Sequence, residues 1–417
     1  MHALRESGAG LPGVTAGFPG LPHTGRPTRA LIDLEAFSHN VRLAVRLSGP
    51  DRRVLAVVKA DAYGHGAVRS ARAALAAGAA KLGVATPGEV RSLRAAGIDA
   101  PILLLSEVSP DRAAEMTRLG CSLTLYTLAY AEALEHEAQR AGRRVAVHLK
   151  VDTGMGRIGI SPADALPFVA RLRDFPHLVL EGIMSHPSEA ERCDSAVTAG
   201  QIAAFQAVCG AVETITGPVR WRHIANSALV LPGDPPGNLV RTGIMLYGCA
   251  PGPGLPAAGD LRPVMRLVTA VAFLKRVPAG TPLSYGGTYT TRRESLIATL
   301  PVGYADGYRR AFSNRASVLV RGRRAPVVGT VCMDLCLADV TGIPGAAVGD
   351  EVVLLGSHGS ERISADELAS HAGTISYEIF CGIGPRVPRV YVGGPADDGD
   401  PVRPAAGSTD DFRRNRS

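Results

Sequence analysis

Val54-Leu55-Ala56-Val57-Val58-Lys59-Ala60-Asp61-Ala62-Tyr63-Gly64-His65-Gly66 joins a short apolar run to a lysine and then, at once, to an aromatic residue, two glycines and a histidine. The run 54–58 has the length and β-branched content of a buried strand. A lysine closing such a strand can cap it and snorkel to water. It can also lie in low dielectric, where desolvation lowers its pKa and frees the amine as a nucleophile. Such an amine can hold a carbonyl cofactor as a Schiff base. Outward from this stretch the chain alternates. Short apolar runs are separated by Ala-rich segments of helical period, such as Val68–Ala80, Glu89–Ala96 and Tyr130–Ala141. The runs are 54–58, 82–85, 102–105, 122–125, 145–151, 179–184, 221–225 and 240–246, which makes eight strand–helix units. That is the pattern of an α/β fold with a (β/α)8 TIM-type barrel, and a doubly wound sheet is the alternative. Barrels gather their chemistry at the C-terminal ends of strands. Lys59 ends the first run, His186 follows the sixth, Asn226 and Ser227 follow the seventh, and Arg241 and Gly243 lie within the eighth.

The Gly/Pro-rich stretch 250–260 marks a boundary. Beyond it the runs Val264–Val277, Ser295–Val302, Ser317–Val320, Ala325–Val331, Leu335–Val340 and Glu351–Leu355 alternate or are β-rich, and helical signal is nearly absent until Ser364–His371. The expected organisation is a disordered N-terminal extension over 1–27, a barrel domain over 28–262, a mostly β C-terminal domain over 263–392, and a disordered tail over 393–417. The run Ala30-Leu31-Ile32-Asp33-Leu34 precedes the barrel and is expected to pair with it.

With 417 residues the chain can bury a large core. Its net charge of +7 comes from 45 basic and 38 acidic residues. The basic residues are scattered, without the stripe and interleaved aromatics of a nucleic-acid surface, so no nucleic-acid partner is expected. Only four are lysines, Lys59, Lys81, Lys150 and Lys275, which leaves few candidates for amine chemistry. Seven irregularly spaced cysteines make neither a zinc site nor a disulfide framework, so no metal is expected and a reduced cytoplasm fits. No apolar h-region and no membrane-length apolar stretch are seen, so no membrane association is expected.

Several motifs then fall in one order: Ala56–Gly66, Leu149–Gly159 (with Lys150, Asp152 and Arg157), His223-Ile224-Ala225-Asn226-Ser227, Val240–Gly248, Ser284–Tyr289, Pro301–Gly307, Val331-Cys332-Met333-Asp334 and Arg386-Val387-Pro388-Arg389. In these the chain resembles the bacterial alanine racemases, over roughly residues 28 to 392. The resemblance implies pyridoxal 5'-phosphate (PLP) on a barrel with an appended β domain, alanine as substrate, and a homodimer whose active sites are shared between subunits. The α-proton of an amino acid is too weakly acidic to remove unaided; PLP supplies the electron sink, and the protein supplies position and electrostatics. Racemisation also needs proton exchange on both faces of a planar carbon, which a base on each side provides.

The resemblance gives Lys59 the D-alanine face and the cofactor, and Tyr285 the L-alanine face. A tyrosine is a poor base unless a cation lies nearby; the resemblance assigns Arg157 to the tyrosine hydroxyl and the substrate carboxylate. His186 joins the network around the cofactor. Arg241 meets the pyridine nitrogen, and since a guanidinium can only donate, that nitrogen stays unprotonated. Phosphate binding falls to Ser227, with Asn226 beside it, to the backbone of Gly243 and Ile244, and to Tyr63 and Tyr377. Met333 lies in the substrate-contact loop, near Tyr304. In many members the lysine equivalent to Lys150 is carbamylated and holds the arginine; an unmodified lysine paired with an acid is the other reading. Gly382-Ile383-Gly384-Pro385 departs from the family pattern. A racemase of serine or of broader specificity is the nearest alternative, followed by a non-catalytic PLP carrier. A barrel-type decarboxylase would want an acid where this chain has Arg241.

Overall fold

The computed structural model describes residues 25–394 apart from Cys193, Pro253, Gly254 and Ala257. Most of the expected extension 1–27 and tail 393–417 thus lies outside the described residues. Gly83, Gly182 and their apolar neighbours sit in a parallel sheet that runs β2 (Arg53–Val57), β3 (Lys81–Val84), β4 (Ile102–Leu104), β5 (Ser122–Leu125), β6 (Val145–Lys150), β7 (Leu178–Met184) and β8 (Trp221–His223) in sequence order, with β9 (Leu239–Thr242) on the far side of β2. Because β9 pairs in parallel with β2, at Leu55↔Arg241, the sheet curls round into a nearly closed barrel. A doubly wound sheet would instead reverse strand order at a switch point. β3, β4, β5 and β9 are buried throughout, as their continuous apolar runs require, while β7 and β8 are only partly buried toward their N-terminal ends.

β1 (Arg29–Asp33) corrects one expectation. It does not pair with the barrel. It runs antiparallel to β10 (Met265–Ala270) and parallel to β20 (Arg389–Val392), inside the sheet of the β-rich half. Its alternating exposure, with Ala30 and Ile32 buried and Leu31 only partly so, suits a two-layer sheet and not a barrel stave. Asp33 then caps the helix Leu34–Ser48 by accepting from the amides of Glu35 and Ala36.

The β-rich half holds β11 (Phe273–Val277), β12 (Pro282–Leu283), β13 (Tyr289–Thr290), β14 (Ser295–Leu300), β15 (Ser317–Val320), β16 (Arg323–Pro326), β17 (Cys336–Asp339), β18 (Glu351–His358) and β19 (Glu361–Ile363). Its large sheet has the order β16-β15-β18-β10-β1-β20, and β11-β14-β17 form a second. The single run expected over Val264–Val277 is two strands in two sheets. The helix expected at Ser364–His371 is found at Ala365–Ala372, capped by Ser364. One continuous apolar cluster joins the barrel core to the large sheet. Among the described residues no helix is long and apolar enough to cross a membrane.

Candidate active site

Lys59 follows β2 at the C-terminal mouth of the barrel and opens a turn that no propensity favours. Ala60, Asp61, Ala62 and Tyr63 all have φ between 51° and 54°, a run of left-handed residues without a glycine. Each such residue costs roughly 1–2 kcal/mol, so the surroundings must fix the turn. Glu89 Oε1 accepts from the Ala60 amide at 2.7 Å, while its Oε2 accepts from Ala85 and Thr86 in a capping box. Asp61 accepts from the amides of Gly66, through its carbonyl, and Ala67, through its carboxylate. Arg389 Nε donates to the Gly64 carbonyl at 2.9 Å. The carbonyls of Ile383 and Gly384 accept from the same guanidinium. A Cβ on Gly66 would lie 1.8 Å from Tyr391 Oη, and its φ of +95° also favours glycine.

Burial, and then the charge of Arg157, lower the pKa of Lys59. Lys150, at the end of β6, is pushed down to about 7 by burial and by Arg241. Its ammonium is not paired with an acid by any hydrogen bond or ion pair among the described residues. The nearest candidate, Asp152, accepts from the amides of Gly154, Met155, Gly156 and Arg157. Burial works against that carboxylate, yet the four N–H groups outweigh it and its pKa is lowered. The Asp152 carboxylate is therefore a loop organiser. The loop so formed presents Arg157 exposed, with no partner for its guanidinium among the described residues.

His186 lies amid these cations. Burial, followed by Arg241, Lys150, Arg157 and Lys59, drives it down to about 2, so it is neutral. Arg241 is buried on β9. Its Nη1 donates to His223 Nδ1 and the His223 carbonyl, at 2.9 and 2.7 Å; its Nη2 donates to the Ser185 carbonyl at 2.6 Å and to His186 Nδ1 at 3.1 Å. Nε has no partner among the described residues. Burial and Arg157 lower this guanidinium only to about 10, so it stays charged.

A chain that sequence reading missed runs beneath Arg241. Since Arg241 can only donate, His223 Nδ1 must accept and its Nε2 carries the proton. That proton goes to His148 Nδ1 at 2.7 Å, so His148 donates from Nε2 to Glu181 at 3.0 Å. Glu181 also accepts from Lys81 and Ser122, each at 2.7 Å, at the first residues of β3 and β5. Burial opposes ionisation of Glu181, but its partners hold it well below the usual carboxylate range. The available signal was a polar residue inside each of the runs 145–151, 179–184 and 221–225. Glu89 was missed too, although Thr86-Pro87-Gly88-Glu89 has capping-box spacing.

The expected phosphate residues come together just after β2, β8 and β9 and on the helix Ser376–Cys381. Ser227 Oγ accepts from the Gly243 amide at 2.9 Å, so that amide is already engaged. A Cβ on Gly243 would lie 2.6 Å from Tyr63 Oη. The Tyr63 and Tyr377 rings are 5.9 Å apart. Ile244 follows Gly243 and is buried. Asn226 is occupied as a helix cap, accepting from Ala228 and Leu229. The remaining expected residues do not join this cluster within the chain. Tyr285 and Met333 are on β-domain loops, 74% and 53% exposed, beside Tyr304 at 43%.

The arrangement is an amine of lowered pKa in a mouth rich in unpaired donors, built for a molecule that carries anionic groups. Residues 32–251 match the family described as "Alanine racemase, N-terminal domain" and residues 264–391 match "Alanine racemase, C-terminal domain". An alanine racemase of Desulfovibrio desulfuricans is 47% identical over 369 residues, covering 88% of this chain and 98% of that protein. Among solved structures, alanine racemase from D-cycloserine-producing Streptomyces lavendulae aligns with a TM-score of 0.84 at 39% identity, over 88% of this chain and 98% of that one. Alanine racemase from Streptomyces coelicolor A3(2) aligns with a TM-score of 0.83 at 39% identity, over the same shares.

Proposed function

Since this chain belongs to the alanine racemase family and interconverts L- and D-alanine, we propose that it does so with PLP at the barrel mouth and with Lys59 and Tyr285 exchanging protons on opposite faces of the α-carbon. The observation that carries this reading is Arg241. Its two terminal nitrogens are fixed by five acceptors, the Ile224 carbonyl at 3.3 Å included, which leaves Nε as its one donor without a partner among the described residues. A permanent donor suits an unprotonated ring nitrogen. Ser227, Gly243, Ile244, Tyr63 and Tyr377, with Asn226 beside them, would hold the phosphate: the absent Cβ of Gly243 is what lets the Tyr63 hydroxyl approach the Ser227-bound Gly243 amide. When bound, PLP withdraws electrons from the α-carbon and makes its proton removable.

The chain's own groups do the rest. Burial and Arg157 keep the Lys59 amine available as a base, and the Glu89-braced turn holds it in place. In the direction of D-alanine, Tyr285 Oη takes the α-proton and Lys59 Nζ, carrying a proton as the ammonium, gives it up on the opposite face; in the reverse direction the Lys59 amine is the base and Tyr285 Oη returns the proton. Arg157 holds the substrate carboxylate and the tyrosine hydroxyl, and His186 buttresses Arg241. In a single chain Tyr285 faces solvent, and its carbonyl accepts from Thr330 within its own half. This supports a homodimer in which Tyr285 and Met333 of one protomer close the barrel of its partner. The setting is cytoplasmic supply of D-alanine for peptidoglycan precursors.

Borohydride should fix the cofactor to the peptide containing Lys59. Tyr285→Phe should keep PLP yet lose most racemisation, while α-proton exchange with deuterated solvent survives better from D-alanine than from L-alanine. Label on Lys81, Lys150 or Lys275, or equal loss of exchange from both enantiomers, contradicts the assignment.

A further inference from the structure

We propose that Arg26 is a positioning residue for the alanine site, acting through Asp306 and Arg386 on the paired loops that carry Tyr304 and Met333. The inference rests on the reading that these loops close the site. Arg26 lies inside the stretch expected to be a disordered extension, yet it is pinned. Its Nη1 and Nη2 each donate to one carboxylate oxygen of Asp306, both at 2.9 Å, and Nη2 also donates to the Pro301 carbonyl at 2.6 Å. Thr28 donates to the same carbonyl at 2.7 Å. The Asp306 side chain is completely buried, and a buried carboxylate needs a counter-charge with fitting geometry. A guanidinium supplies both as a fork.

Asp306 ends the tight turn that presents Tyr304. Its Oδ2 also accepts from the Gly303 amide at 3.0 Å. Gly303 is pressed so closely on the next loop that a Cβ there would lie 2.3 Å from the carbonyls of Cys332 and Met333. The amides of Tyr304 and Ala305 donate to those carbonyls at 3.0 and 3.1 Å. The two loops therefore move as one body. Arg386 closes the circuit, with Nε 3.5 Å from Asp306 and Nη2 donating to Asp334, next to Met333, at 2.7 Å. Arg26 is three residues ahead of β1, so the fork anchors this body to the large sheet.

Full-length holoenzyme should be compared with Arg26→Ala, Arg26→Lys and Asp334→Asn. Arg26→Ala should raise KM for L-alanine about tenfold while kcat stays within about twofold and PLP content is unchanged. Arg26→Lys keeps the charge without the fork and should recover part of that KM. Asp334→Asn leaves the buried pair intact and keeps the test open if Arg26→Ala does not fold. Combined with Arg26→Lys, its effect on KM should fall short of the product of the single effects by about threefold, because both act on one chain of contacts. Simple multiplication of the two effects overturns the proposal. So does a parallel loss of kcat and PLP, which would make Arg26 a fold-holding residue only, or an unchanged KM in both Arg26 variants. Met333→Ala, measured alongside, separates the two readings: ordinary kinetics there would overturn Met333 as a substrate contact, and the double-variant comparison still decides on Arg26.

Discussion

Arg241 forces the protonation of everything beneath it, because a group that can only donate fixes the tautomer of each acceptor in turn. His223 and His148 must both be neutral for the chain to reach Glu181 with every proton used once. Burial is the first cause of the lowered pKa in each, and His148 is pushed down to about 4. His65, packed against Tyr247 and Phe380, is also pushed down to about 4 by burial. An unfolded histidine binds protons below about 6.5, so between that pH and 4 the unfolded chain takes up more protons than the folded one. Stability should therefore fall as pH drops through this window, by up to about 3 kcal/mol for each of His148 and His65, and His223 acts in the same direction. Glu181 differs: its depressed pKa adds stability that is lost only below the ordinary carboxylate range. Urea midpoints from pH 7.5 to 4.5 check this, and a flat profile between pH 7 and 5 would contradict neutral buried histidines. Lys59, Arg241 and Ser227 stood out in the sequence because each ends or interrupts an apolar run. His148 and Glu181 were not legible, since one polar residue inside a run does not reveal its partner across a barrel.

The left-handed turn at Ala60–Tyr63 is an element that sequence patterns do not announce. Alanine, aspartate and tyrosine have no preference for it. It is imposed from outside by Glu89, Arg389 and the contact of the tilted rings of Tyr63 and Tyr247, whose centroids are 4.7 Å apart. Glu89→Gln tests the imposition. A side-chain amide can satisfy only part of a group that now accepts from three N–H donors. Stability should fall by about 1–3 kcal/mol. The displaced lysine should lower kcat about tenfold, because small misplacements of a reacting group are costly. Wild-type kcat in a variant with a lowered unfolding midpoint would mean that Glu89 holds the fold but not the lysine.

At the scale of the whole molecule, the two halves are stitched more closely than the linker at 250–260 suggests. β1 leaves the front of the barrel half to pair with β10 and β20, and Arg389 returns from β20 to hold the Lys59 turn. The two proposed bases nevertheless lie apart: Lys59 is at the barrel mouth and Tyr285 is on an exposed loop. Tyr285, Tyr304, Met333 and Leu335 are all exposed in the single chain, and the proposed second copy would cover them. Co-expression of Lys59→Ala and Tyr285→Phe chains gives the decisive outcome. A mixed dimer should hold one doubly defective site and one intact site, so activity should reappear although each variant alone is nearly inactive. Continued inactivity in verified mixed dimers would exclude the shared site.

The eight-unit rhythm and the lysine, arginine and serine at strand ends were written in local order. Barrel strands buried on both faces must be continuously apolar, and each exception is visible against that background. Where β1 goes was not written there, because a five-residue run does not name its partner and register is settled by which sheet can bury its alternating face. Nor could local sequence reveal the left-handed turn, the Arg241–His223–His148–Glu181 chain or the fork of Arg26 on Asp306. Each depends on groups far apart in the chain whose hydrogen bonds form only once the fold has removed water from around them.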